Sequence, residues 1–217
     1  AMDRSTATPF HLLDQVSGTY SQRLLHALGI PQAKLSELLP SGTPIAGLTA
    51  EAAAETGLST ETVLVSGSFD HQAAARAVGV IEPGQLMLSC GTSWVGFTPM
   101  TRREAVTEAG LLCDPFLSDG GGPWGGMFSV PCIGRTIDGY VRNQIAPDVQ
   151  DPTARFNALA AEAEPGAGGL SIDLRAAPAP ADASPANLAR AVMEGAARLL
   201  AEKLAGLNEC GFEFDAA

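Results

Sequence analysis

The part of this chain that most constrains its fold runs from Thr62 to Phe97. "TVLVS" is a short β-branched run, and "GSFD" is a turn. "DHQAAARAVGV" has helical composition with Gly79 at its close, and "GQLMLSCGTSWVGF" is apolar again but broken by glycines. Strand, turn, helix and strand in that order point to an α/β protein. The rest of the chain agrees, because its 24 glycines and 15 prolines cluster between apolar runs, where such a fold needs tight connections. With 217 residues, 46% apolar and 17% charged, it is globular, with room for one large domain or two small ones.

Charge and cysteine spacing exclude whole classes of partner. A formal net charge of −11 opposes binding to nucleic acid or an anionic membrane, which both need a positive field. The four cysteines, at 90, 113, 132 and 210, form no C-x-x-C pair, so no zinc site is expected and the thiols are read as reduced and mostly buried. No run of about 18 apolar residues is present. The N-terminus lacks the layout of a signal peptide, and the expected location is cytoplasmic.

Helix and strand signals can be placed along the chain. "SQRLLHALGI" puts Leu24, Leu25 and Leu28 on one helical face with Gly29 as terminator. Thr49 and Gly57 bracket a second helix as N-cap and stop. Thr62 to Ser66 reads as a buried strand, and a helix opens at Asp70. From Val80 the character changes to strands broken by glycines, with a polar, glycine-rich turn at Ser118 to Gly122; this suggests domains of 1–79 and 80–217. "GRTIDGYVRNQI" places Ile133, Ile137, Tyr140 and Val141 on one side of a helix. The Ala-Pro-rich stretch before Ser184 reads as a loop or linker. Ser184 as N-cap with Pro185 behind it then starts the longest helix, able to run to Cys210.

Three chemistries compete for the residues around Asp70 and Ser93. An Asp opening a helix serves as an N-cap, and "SCGTSW" serves as a plain hairpin turn. A serine hydrolase is suggested by Gly91-Thr92-Ser93-Trp94-Val95, one residue short of a G-x-S-x-G elbow, yet the histidines at 11, 26 and 71 all precede Ser93. Phosphoryl transfer needs an acid at a strand end to take the proton of an attacking hydroxyl, and a small-residue turn whose backbone approaches phosphate oxygens. Asp70 and Gly91-Thr92-Ser93 supply both.

The order G-x-x-D-x-x-A-A-x-x-x-x-G-V (Gly67 to Val80), then Pro83-Gly84, then S-x-G-T-S (Ser89 to Ser93), resembles the domain junction of the FGGY carbohydrate kinases. The flanking segments, from Met2 to Leu58 and from Asn187 to Leu207, resemble the end of that family's first domain and a long helix of its second. The resemblance implies a ribonuclease-H-like (actin-like ATPase) α/β fold with an incomplete first, sugar-binding domain and most of a second, nucleotide-binding one. It implies ATP and Mg²⁺ as cofactors, a sugar or polyol as substrate, and no separate protein-held metal site. By position it makes Asp70 the general base and sets His71 beside it toward the sugar. Gly91, Thr92 and Ser93 become the phosphate turn, and Gly134 and Asp138 lie near the nucleotide. The family's N-terminal D-x-G-T hairpin and its adenosine-binding segment are not in the sequence, so the chain alone is expected to be inactive and to expose apolar surface. A second copy or a complementary chain is left open as partner. The competing reading is a non-catalytic actin-like module that binds a partner chain.

Overall fold

The computed structural model of the chain describes residues 1–116, 122–176 and 182–214. Its strands are β1 (Met2–Asp3), β2 (Leu13–Asp14), β3 (Thr19–Tyr20), β4 (Leu38–Leu39), β5 (Pro44–Gly47), β6 (Val63–Val65), β7 (Met87–Cys90), β8 (Trp94–Met100), β9 (Leu112–Pro115) and β10 (Trp124–Val130). Its helices are α1 (Arg4–Ala7), α2 (Gln22–Leu28), α3 (Ala50–Thr56), α4 (Asp70–Ala77), α5 (Arg103–Glu108), α6 (Ile133–Tyr140), α7 (Pro152–Glu162) and α8 (Pro185–Glu209). A π-helical turn, Val141–Ile145, extends α6.

The chain divides into two compact units, one built chiefly from Ala1–Met87 and Phe97–Met127, the other from Leu88–Gly96 and Phe128–Glu213. Residues 80–87 and 97–127 fall within the first unit.

In the first unit, β1 and β4 pair in parallel and β2 and β3 form a hairpin. β5 and β6 pair antiparallel, with a bulge between Pro44 and Ala46. Val63, Leu64 and Val65 are 58%, 49% and 49% exposed, so the strand expected to be buried is not. Its only described partner is β5, itself exposed throughout, and a two-stranded ribbon has no second layer to cover its faces. Thr49, Gly29 and Gly57 cap as the sequence predicts, and Ser21 is a cap that the sequence reading did not name. The Ser21 and Thr49 side chains accept N–H groups at the starts of α2 and α3, and Gly29 and Gly57 end them in the left-handed region at φ +65 and +73. Of the expected apolar face of α2, however, only Leu25 is buried; Leu28, in the last turn before Gly29, is exposed.

The four-stranded sheet has the order β7-β8-β10-β9, with β10 and β9 antiparallel. The glycines in these strands make room for aromatic rings. A Cβ on Gly125 would lie 2.5 Å from the Phe97 ring, and one on Gly96 would lie 2.1 Å from the Phe128 ring. Each phenylalanine thus lies over the other strand's glycine. In the first unit Phe97 also packs edge-on against Phe116, centroids 4.8 Å apart, in a core with Ala75, Met87 and Met127.

The core of the second unit is helical. Leu188, Val192, Ala196 and Leu199 form the inward stripe of α8 and meet Phe156 and Leu159 of α7, and Tyr140, Val141 and Ile145. Ser184 caps α8 by accepting the Asn187 N–H, with Pro185 in its first turn as expected. At 25 residues α8 is about 38 Å long. The described part of the Ala-Pro-rich stretch is not a bare linker, because Ile172 and Leu174 are buried in this core. Gly195 lets that segment pass; a Cβ there would be 2.8 Å from the Ile172 carbonyl oxygen. Residues 177–181 of this stretch, and all of the expected Ser118 to Gly122 turn except Gly122, lie outside the described residues. All four cysteines are free, but Cys90, Cys132 and Cys210 are exposed and Cys113 is half-buried, contrary to the expectation of mostly buried thiols. Among the described residues no helix is long and apolar enough to cross a membrane.

Candidate functional site

The predicted residues fall into two groups, one in each unit. In the second unit, Gly91, Thr92 and Ser93 form the turn between β7 and β8. The start of α6 is clasped against it. Gly134 N–H donates to the Thr92 carbonyl at 3.0 Å, and Cys132 N–H donates to Ser93 Oγ at 3.0 Å. The glycine at 134 is a steric necessity, because a Cβ there would sit 2.0 Å from the Gly91 carbonyl oxygen and 3.2 Å from Thr92 Cα. Four of the five residues predicted around the nucleotide are thus joined through backbone contact, and Ser93 acts as the brace of the turn.

Beside the clasp opens a cavity of about 610 Å³, whose lining includes Gly91, Thr92, Gly134, Asp138, Thr153 and Asn157. It lies in the size range of small-molecule sites. Asp138, one turn into α6, is exposed and held by Arg142, whose Nε donates to its two carboxylate oxygens at 2.8 and 2.9 Å. That pairing offsets the negative charge of the carboxylate, and Arg135 adds a positive charge to the lining. Sequence reading missed Thr153 and Asn157. Their spacing of four on α7 sets them on one helical face, but nothing in the sequence assigns that face to a cavity.

In the first unit, Asp70 is the first residue of α4, and its carboxylate is exposed. The N-cap position belongs to Phe69, and among the described residues Asp70 Oδ1 accepts only the His71 N–H, at 2.7 Å. The plain capping role is therefore not what this side chain performs, although a carboxylate in the first turn still suits the helix dipole. His71 is half-buried, its ring edge-on to Phe69 with centroids 6.0 Å apart. The turn before α4 is anchored from below: Phe69 N–H donates to Ser5 Oγ at 2.9 Å, and Ser5 Oγ donates to Asp3 Oδ2 at 2.6 Å. Among the described residues no cluster of three His, Cys, Asp or Glu side chains could hold a metal.

The model of the N-terminal domain of the FGGY family of carbohydrate kinases matches residues 1–77. An autoinducer-2 kinase from Yersinia enterocolitica is 37% identical over 94 residues, which are 43% of this chain and 18% of that protein. One from Yersinia pestis is 35% identical over the same length. Among solved structures, the xylulose kinase of Rhodospirillum rubrum superposes with a TM-score of 0.77 at 25% identity, over 99% of this chain and 46% of that one. Plasmodium falciparum glycerol kinase with ADP gives 0.77 at 15% identity, over 98% and 45%. The chain spans less than half the length of these relatives, and its fold is that of their actin-like ATPase superfamily. Over residues 1–77 the chain is similar to the N-terminal domain of the FGGY family of carbohydrate kinases, and over nearly its whole length it shares the fold of xylulose and glycerol kinases.

Proposed function

We propose that the protein carrying this chain transfers the γ-phosphoryl group of MgATP to a hydroxyl of a sugar or polyol. Asp70 is the general base. It takes the proton of the hydroxyl as that oxygen bonds to the γ-phosphorus and the bond to the β–γ bridging oxygen breaks. An exposed carboxylate, held at a helix start by a buried support and making only one hydrogen bond among the described residues, suits a proton acceptor. His71 lies next to it to contact the sugar.

The nucleotide belongs to the second unit. Gly91 and Thr92 approach its phosphates, Ser93 braces their turn, and Gly134 and Asp138 line the adjoining cavity. The observation that carries this reading is the clasp between Gly134 and Gly91-Thr92, which brings the backbone of a helix start against a small-residue turn at the mouth of a nucleotide-sized cavity. Mg²⁺ needs no protein cage in such a site, since it binds through phosphate oxygens and water with few carboxylates.

Amide NMR of the chain titrated with MgADP tests the nucleotide half. The expected result is shifts confined to Gly91, Thr92, Gly134 and Asp138 and their neighbours; shifts elsewhere, or none at millimolar nucleotide, overturn it.

A further inference from the structure

The first turn of α4 is pinned twice, on either side of Asp70. Before it stands the Phe69 bond to Ser5; after it, Gln72 Nε2 donates to Asp114 Oδ2, on β9. Gln72 and Asp114 are 0% and 1% exposed, so this second pin is buried. Thr8 Oγ1 donates to the other carboxylate oxygen of Asp114 at 3.1 Å. One atom of the arrangement is left over, since Gln72 Oε1 is buried with no hydrogen-bond partner. A buried amide oxygen without a donor is costly.

An ionised Asp114 cannot help, because a carboxylate only accepts; a protonated one has a proton to give. A carboxyl group and a primary amide each offer one donor beside one acceptor, and together they close a two-bond ring. We propose that Asp114 and Gln72 form a proton-operated latch on the first turn of α4, closed when Asp114 is protonated and loosened when it ionises.

The electrostatics agree with this geometry. Burial pushes the Asp114 carboxyl up to about 8, with the nearby Asp3 charge adding to the effect and the Thr8 and Gln72 hydrogen bonds opposing it. Among the described residues the arginines on the packed elements bond to other groups. Arg103 on α5 donates through Nε to Gln15, and Arg76 on α4 donates to the Phe116 carbonyl and to Ser41. Arg4 on α1 donates through Nε to the Gly18 carbonyl. Glu104 on α5 is itself an acid, and the adjacent Cys113 thiol, which burial pushes up to about 11 with Arg103 opposing and Asp114 and Glu104 adding, carries no positive charge, so neither balances the carboxylate. His11 lines the same cavity as Asp114, at its exposed side. Ionisation therefore places a second negative charge near Asp3 and removes the one proton that the Asp114 carboxyl could offer to Gln72 Oε1. That the latch thereby governs how firmly Asp70 is aimed rests on the function proposed above.

Amide hydrogen exchange across Phe69 to Ala74, followed from about pH 6.5 to 9.5 with the intrinsic rate divided out, reads the latch directly. Val192 and Ala196 of α8 serve as internal control. Wild-type protection of the α4 turn is expected to fall about tenfold or more as pH passes about 8, with α8 level. Asp114→Asn, which makes a permanent amide–amide pair, should give a flat profile. A flat wild-type profile, or a variant that falls as the wild type does, overturns the proposal. Should Asp114→Asn fail to fold, the carbon-13 titration of the Asp114 carboxyl in the wild type decides instead. A midpoint in the ordinary carboxylate range overturns the latch, and one near neutrality or above, with the Gln72 amide moving alongside, supports it. Asp70→Asn should leave the exchange profile untouched, so a failure of the general-base assignment remains distinct from a failure of the latch.

Discussion

Gly134 and Gly91 approach so closely that a single added Cβ on Gly134 would lie 2.0 Å from the Gly91 carbonyl oxygen. That atom is backbone, so relief requires the turn or the helix to move. Gly134→Ala should destabilise the second unit by roughly 1–3 kcal/mol, as overpacked sites do, and Gly134→Val by more. Both should weaken MgADP-induced shifts at Gly91 and Thr92 beyond what the stability loss explains. Thermal unfolding together with the nucleotide titration checks this; an alanine variant of wild-type stability would mean that the clasp is loose.

The clasp and its surroundings show what sequence carries and what it does not. Thr49 with Gly57, and Ser184 with Pro185, are local signals whose partners lie within a few residues, so the ends of α3 and α8 are readable without knowing the fold. Gly134 is nameable by resemblance, but its reason is a contact with residues more than forty positions away. The Gln72–Asp114 bond joins residues 42 positions apart and leaves no local trace. Burial fails for a related cause. A run such as Val63-Leu64-Val65 carries the apolarity of a core strand, yet what covers it depends on its neighbours in space, and here that neighbour is β5 alone among the described residues. The exposed cysteines teach the same lesson, since a residue type's usual burial is an average over other folds.

The exposed β5–β6 ribbon has a consequence in solution. Three consecutive exposed aliphatic residues with no intervening charge make an edge prone to pairing with another chain. The chain is expected to self-associate at high concentration, and Leu64→Lys should reduce this while leaving the helical content unchanged. Light scattering across a concentration series checks it; a monodisperse wild-type monomer would contradict it.

Asp114 also sets the pH dependence of stability. Its folded-state value of about 8 lies above the ordinary 3.8, so between these values the folded chain holds a proton that the unfolded chain releases. Stability should therefore fall as pH rises from about 4 and level off above about 8. Asp114→Asn keeps the hydrogen-bonding shape without the titration. It should match the wild type near pH 4 and exceed it near pH 8 to 9 by a few kcal/mol, roughly 5 °C or more in Tm. Unfolding curves over that range check the sign, and an Asn variant that gains nothing at the alkaline end would contradict it.

Asp70 is proposed above to accept the proton of the hydroxyl being phosphorylated. Asparagine keeps its size and its bond from the His71 N–H but cannot take that proton. The deciding measurement is kcat of the Asp70→Asn variant, in the protein that carries this chain, with the sugar or polyol it phosphorylates fastest. The account predicts a fall of roughly 10²- to 10⁴-fold with nucleotide affinity unchanged; a variant that turns over at the wild-type rate would contradict it.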